Sequence, residues 1–130
     1  MKLEEIRKVL DAEWSGWKPN RTVWSGREVG LCCASDLMSD VLILSGAGSL
    51  LLTGLTNAQV IRVAELSEFV AVCFVRGKKP QPEAVQLAEE REIPLLVTPL
   101  SMFESCGRLY AQGVRGADME KEDVKWQPKK

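Results

Sequence analysis

The sequence has no histidine among its 130 residues. Histidine is the side chain that most often transfers protons near neutral pH, and it is also the commonest metal ligand. Any catalysis would have to rely on carboxylate, lysine, tyrosine or thiolate groups, and no residue pair in the sequence offers a nucleophile together with a base. The sequence therefore favours a protein that is not an enzyme, with no catalytic residues, no metal site and no cofactor.

Long apolar runs and an excess of positive charge are missing as well. The longest unbroken apolar run is residues 69–75, far below the roughly 20 residues of a membrane-spanning helix. The net charge is -1, from 17 basic and 18 acidic side chains, which argues against a basic face for nucleic acid. The charged first residues do not form a secretion signal. We expect a cytoplasmic protein that binds neither membranes nor nucleic acids.

The four cysteines show no metal-binding pattern. They lie in apolar stretches, and no two of them have Cys-x-x-Cys spacing. In a cytosolic protein this predicts reduced, buried thiols. Successive strand residues point to opposite faces, which argues against one cluster containing both Cys32 and Cys33. The other two are Cys73 and Cys106.

Apolar runs of strand length alternate with helical patterns through the middle of the sequence. The predicted strands are 29–34, 50–53, 69–75 and 94–97, and the predicted helices are 3–12, 35–44, 56–66, 82–92 and 101–112. This alternation predicts an α/β fold, with a mainly parallel sheet of four or five strands flanked by helices. We divide the sequence into an N-terminal helix with a tryptophan-bearing connection (1–28), an α/β domain (29–113) and a charged tail (114–130).

Several residues are typical of helix starts. Ser35 or Asp36 is expected to cap the second helix, Thr56 the third, and Ser101 the last, with a glutamine or glutamate three residues after Thr56 and Ser101. Asp36 and Asp40 are expected to form a solvent-facing pair on one helix face.

Four tryptophans lie outside the alternating pattern. They are compatible with a binding interface or with burial of the two chain ends against the domain. They are Trp14, Trp17, Trp24 and Trp126.

Polar and cationic residues follow all four predicted strands, in the loops 34–36, 53–57, 76–79 and 98–101. Ligands of open α/β sheets bind beyond the carboxyl ends of the strands, where helix N-termini favour anions. Of the six cations between residues 31 and 113, three lie in the single loop 76–79. The predicted ligand-binding residues are Thr53, Gly54, Thr56, Asn57, Arg76, Gly77, Lys78, Thr98 and Ser101. The alternative for each is an ordinary turn or helix cap, since caps and anion sites use the same groups.

The order of these strand-end motifs resembles the DRTGG-domain family. The resemblance covers most of residues 29–113, through segments 34–42, 51–57, 74–78, 93–96 and 101–104. It implies a fold like the N-terminal domain of HPr kinase. It also implies a regulatory or ligand-sensing module, often dimeric, that accompanies phosphotransacetylases and CBS-containing pyrophosphatases and has no established catalytic residues. The family's Asp-Arg pair falls at residues 55–57 and its Thr-Gly-Gly at 76–78, where only Gly77 is kept, so this sequence resembles a diverged, stand-alone member.

Two hypotheses follow from the sequence. The first is a non-enzymatic regulatory module, expected to be a homodimer, that binds a nucleotide or another phosphorylated or carboxylate metabolite at the C-terminal edge of the sheet. The second is a protein-interaction accessory subunit of a separate metabolic enzyme, without a small-molecule ligand. The tryptophans at the chain ends favour the second hypothesis.

Overall fold

The apolar runs of the sequence form the centre of an α/β sheet. A computed structural model describes residues 1–16 and 21–117, and only the backbone of residues 21 and 22. The strands are β1 Glu13–Ser15, β2 Leu31–Ala34, β3 Ser49–Thr53, β4 Ala71–Phe74, β5 Leu95–Val97 and β6 Arg115–Gly116. The helices are α1 Leu3–Val9, α2 Arg21–Ser25, α3 Met38–Val41, α4 Ala58–Leu66, α5 Pro82–Arg91 and α6 Met102–Ala111.

The strands lie in the order β1-β5-β4-β3-β2-β6. β1 pairs antiparallel with β5, and the other neighbouring strands pair in parallel. This confirms the predicted α/β fold with a mainly parallel sheet and an N-terminal helix. The described residues contain six strands rather than four or five. β1 and β6 have only three and two residues, too few to show strand periodicity in the sequence.

The two central strands are buried along their whole length, because helices cover both faces of the sheet. On one face Leu52 packs in the same apolar cluster as Ile6 of α1 and Leu109 of α6. On the other face Leu51 packs in a cluster with Val60 of α4. The C-terminal ends of β3 and β4 are therefore fixed by apolar packing on both faces of the sheet.

The N-terminal segment packs against the same core. Trp24 is only 2% exposed, and its ring centroid lies 6.1 Å from that of Trp14. The burial interpretation is therefore confirmed for Trp24 and for half-buried Trp14, whereas Trp17 and Trp126 lie outside the described residues. The tryptophan-bearing connection contains two regular elements, β1 and α2.

The start of the second predicted helix is wrong. α3 begins at Met38 and its N-cap residue is Leu37, so neither Ser35 nor Asp36 caps it. Ser35 Oγ instead accepts a hydrogen bond from Leu37 N. Because Asp36 precedes the helix, the expected helical pair of Asp36 with Asp40 is wrong too.

The other helix starts agree more closely with the sequence. α4 is capped by Asn57, one residue after the predicted Thr56. Pro82 occupies the first turn of α5, and Ser101 caps α6 as predicted. Within residues 1–16 and 21–117, no helix is long and apolar enough to cross a lipid bilayer.

Candidate functional site

The nine predicted ligand-binding residues lie at one edge of the sheet: Thr53 is the last residue of β3, and the other eight lie in the loops that follow β3, β4 and β5. Backbone hydrogen bonds join these loops to one another. Gly77 N donates to Thr98 O at 2.7 Å, Arg76 N donates to Leu100 O at 2.8 Å, and Gln81 N donates to Thr56 O at 2.9 Å. The topology therefore brings all three loops into one layer above the carboxyl ends of the central strands.

The loop after β3 has its donors occupied by a carboxylate of the same chain. Gly54 N donates to Asp36 Oδ1 at 2.6 Å, and the hydroxyl of buried Thr53 donates to the same oxygen at 3.1 Å. Thr53 Oγ1 also accepts from Leu55 N. An anion approaching Thr53 and Gly54 thus meets the negative carboxylate of Asp36, which already occupies the predicted anion position.

Gly54 lies in close contact with this carboxylate. A Cβ atom at position 54 would lie 3.4 Å from both carboxylate oxygens of Asp36. No local sequence pattern shows these hydrogen bonds of Asp36, because its partners lie 17 and 18 residues away in the chain.

Three other predicted side chains are used by the fold. Asn57 Oδ1 accepts from Gln59 N at 3.0 Å, and Ser101 Oγ accepts from Glu104 N at 3.1 Å, so both cap helices. The hydroxyl of buried Thr98 donates to Leu10 O, and its oxygen accepts from Leu100 N at 3.2 Å. These contacts satisfy backbone groups that the loops would otherwise leave without partners.

The loop after β4, which we call the cation turn (residues 75–79), is different. Lys78 N donates to Val75 O at 3.2 Å, and both central residues are left-handed, with φ of 59° at Arg76 and 67° at Gly77. This is the pattern of a type I′ turn. Glycine adopts a positive φ readily, whereas this conformation is uncommon for a residue with a side chain such as Arg76.

The side chains of the cation turn have no polar partner in the part of the chain that the structure describes. Arg76, Lys78 and Lys79 are exposed, and they form no hydrogen bond or ion pair with any side chain in residues 1–16 or 21–117. The turn leads directly into α5, whose N-cap residue Gln81 provides no side-chain cap. Three cations therefore lie beside the positive end of a helix dipole, and this combination attracts anions.

Two clefts flank β2 rather than the cation turn, and we call them the β2 clefts. One, of about 270 Å³, lies against α6 and is lined by residues that include Cys32, Cys106 and Tyr110. The other, of about 330 Å³, lies beside α3 and includes Ser35 and Ile43 in its lining. Both clefts include residues of β2, and no local sequence pattern predicts them because their walls come from separate elements.

Burial keeps three of the thiols protonated at neutral pH. It raises the pKa of Cys73 to about 12 and also raises the pKa values of Cys32 and Cys106. A thiol with a raised pKa is a poor nucleophile and a poor metal ligand near neutral pH. None of the four cysteines forms a disulfide; Cys33 and Cys73 are buried, as predicted, but Cys32 and Cys106 are only half-buried. The part of the chain that the structure describes contains no group of three or more cysteine, aspartate or glutamate residues able to hold a metal ion.

No protein-family profile matches the sequence. No curated protein matches it either. Among solved structures, the chain resembles the CBS and DRTGG domains of the regulatory region of Clostridium perfringens pyrophosphatase, complexed with the activator diadenosine tetraphosphate. The identity is 23%, the TM-score is 0.59, and the match covers 87% of this chain and 47% of that one. The chain thus spans about half of that regulatory region, and the likeness supports a related fold without assigning the chain to the DRTGG family.

Proposed function

We propose that this protein is a non-enzymatic regulatory module that binds a nucleotide or another anionic metabolite at the cation turn. The observation that carries the proposal is the set of three exposed cations on a fixed turn before an uncapped helix. Without a ligand these charges repel one another and the dipole of α5 adds to that repulsion. A bound phosphate or carboxylate relieves it, at roughly 0.5–1 kcal/mol per exposed charge contact.

The likeness to a pyrophosphatase regulatory region supports this proposal. That region is complexed with an activator that contains nucleotides and a chain of phosphates. By analogy, a phosphorylated ligand and a separate enzyme partner are proposed for this chain, together with a cytoplasmic location. In this proposal the remaining predicted residues, at the ends of β3 and β5, shape the edge on which the ligand lies.

Calorimetric titration with pyrophosphate and with ADP at low salt tests the proposal. The wild-type chain is expected to bind both, and R76A/K78A is expected to bind about tenfold more weakly, because two charge contacts are lost. K8A/R62A is the matched control: it removes two exposed cations elsewhere and should stay within about twofold of wild type. Equal weakening in both variants, or no binding by the wild type, would contradict the proposal.

A second function, a protein-interaction subunit without a small ligand, is favoured by one observation. Among the described residues seven large hydrophobic side chains are exposed, and five of them lie on α6 or on α3 and its flanking residues: Leu37, Leu42, Ile43, Phe103 and Tyr110. Tyr110 and Ile43 each line one of the β2 clefts, and exposed apolar patches are typical of protein interfaces.

The test uses one side chain from each cleft. Under this second function, sedimentation of the wild type should show self-association or a complex with an enzyme partner, and I43E/Y110E should abolish it. If the regulatory module is a homodimer, as the sequence predicts, the same variant should also lose self-association. A monomeric wild type that retains no protein partner would exclude both.

A further inference from the structure

Asp36 is held in one position by its hydrogen bonds. Its Oδ1 atom accepts from Gly54 N at 2.6 Å and from the Thr53 hydroxyl at 3.1 Å. Thr53 is fully buried, so the carboxylate is anchored to the core of the molecule. The backbone beside it is fixed as well, since Ser35 Oγ accepts from Leu37 N at 3.0 Å.

The second carboxylate oxygen of Asp36 is still able to accept hydrogen bonds. The residue is exposed, and Oδ2 has no hydrogen-bond donor within the described residues. An acceptor that is already fixed loses little conformational entropy when a ligand binds to it. A fixed carboxylate with a free oxygen is suited to hydroxyl or amino donors, whereas it repels phosphate.

Asp36 and the cation turn are neighbours on the same edge. The carboxylate lies over the end of β3, and the turn follows β4, the next strand in the sheet. Paired strands are about 5 Å apart. The edge is therefore divided into a negative half that accepts hydrogen bonds and a positive half that attracts anions.

We propose that Asp36 binds the sugar hydroxyls of a phosphorylated ligand whose phosphate lies at the cation turn. The ligand class is then a sugar phosphate, nucleotides included, rather than an inorganic polyanion. Carboxylates at strand ends of other α/β folds accept hydrogen bonds from ribose hydroxyls in the same manner. This inference rests on the proposed function, and it adds the recognition of uncharged sugar hydroxyls by Asp36.

The alternative for Asp36 is an internal anion that a ligand phosphate displaces from Gly54. Displacement would break both hydrogen bonds to Oδ1, including the one from buried Thr53. A phosphate has a site available at the cation turn without that loss. The hydrogen bonding therefore favours recognition by Asp36 over its displacement.

The substitution Asp36→Asn separates these alternatives. Asparagine retains an Oδ1 atom that can accept from Gly54 and Thr53, but its amide NH₂ replaces Oδ2 and cannot accept hydrogen bonds. Asp40→Asn is the matched control, because Asp40 is an exposed aspartate on α3 and the charge change is the same. Thermal unfolding of both variants establishes that each is folded.

The experiment is calorimetric titration of wild type, D36N and D40N with AMP, ribose 5-phosphate and pyrophosphate. D36N is expected to weaken AMP and ribose 5-phosphate about tenfold relative to D40N, the loss of one charge-assisted hydrogen bond. Pyrophosphate should bind D36N and D40N within about twofold of each other, since it carries no sugar.

Three results would overturn the assignment while leaving the proposed function intact. Pyrophosphate binding that is tighter in D36N than in D40N by well over twofold would make Asp36 a displaced anion. Equal binding of all three compounds by both variants would make it a structural brace. A loss confined to AMP would point to the base instead of the sugar. Failure of the wild type to bind pyrophosphate would instead contradict the proposed function itself.

Discussion

The loops after β3 and β4 lie side by side at one edge of the sheet, yet their polar groups are satisfied in different ways. In the first loop, Gly54 and Thr53 donate to Asp36 and Asn57 caps the following helix. In the cation turn the three charged side chains have no partner among the described residues, and Gln81 does not cap α5. Both loops have the composition of an anion site, so composition alone does not distinguish a loop that binds from one that stabilises the fold.

The largest loss of stability is expected when Asp36, which accepts hydrogen bonds from the loop after β3, is replaced. D36A is expected to lower the free energy of unfolding by about 2 kcal/mol, because the buried Thr53 hydroxyl and Gly54 N both lose their acceptor. R76A should change it by less than about 0.5 kcal/mol, since the exposed Arg76 side chain forms no hydrogen bond or ion pair within the described residues. Urea denaturation of both variants measures the difference. Equal destabilisation would show that the two loops do not differ as described.

A smaller effect is expected from the two helix caps. N57A should cost about 1 kcal/mol of stability because it removes the bond to Gln59 N. Q81A should cost no more than a few tenths of a kcal/mol, because Gln81 caps nothing. Comparison of the two denaturation midpoints provides the check, and a larger loss for Q81A would contradict the assignment of α5 as the uncapped helix.

The smallest change in stability is expected from a substitution that relieves the backbone of the cation turn. Arg76 has φ of 59°, a conformation that glycine adopts at lower cost than other residues. R76G is therefore expected to raise stability by about 0.5 kcal/mol while it weakens pyrophosphate binding several-fold. Thermal denaturation and calorimetry on the same preparation measure both quantities. Loss of stability in R76G would mean that the guanidinium has a structural role.

Local sequence patterns predicted the elements whose causes are local. The apolar run around Val72 forms a buried central strand, and Pro82 and Ser101 begin helices as expected. The predicted start of α3 is wrong because the carboxylate of Asp36 could accept hydrogen bonds either from the nearby helix or from the distant Gly54. No local pattern shows that the distant partner prevails.

The sequence predicts where the candidate site lies, but not which of its polar groups are free to bind a ligand. The rule for parallel sheets placed the residues from Thr53 to Ser101 in loops at one edge, and hydrogen bonds between those loops agree with it. Which of those residues still has free polar groups depends on contacts between elements, such as that of Thr98 with Leu10. These contacts are set by packing, which the linear sequence does not display.

The most direct test of the difference between the two loops is an NMR titration of the ¹⁵N-labelled chain with pyrophosphate. We expect the largest amide shifts at Arg76, Gly77 and Lys78 and in the first turn of α5, while Gly54 and Gln59 change little. Shifts that are largest at Gly54, shifts confined to residues of the β2 clefts, or no shifts at millimolar pyrophosphate would contradict it.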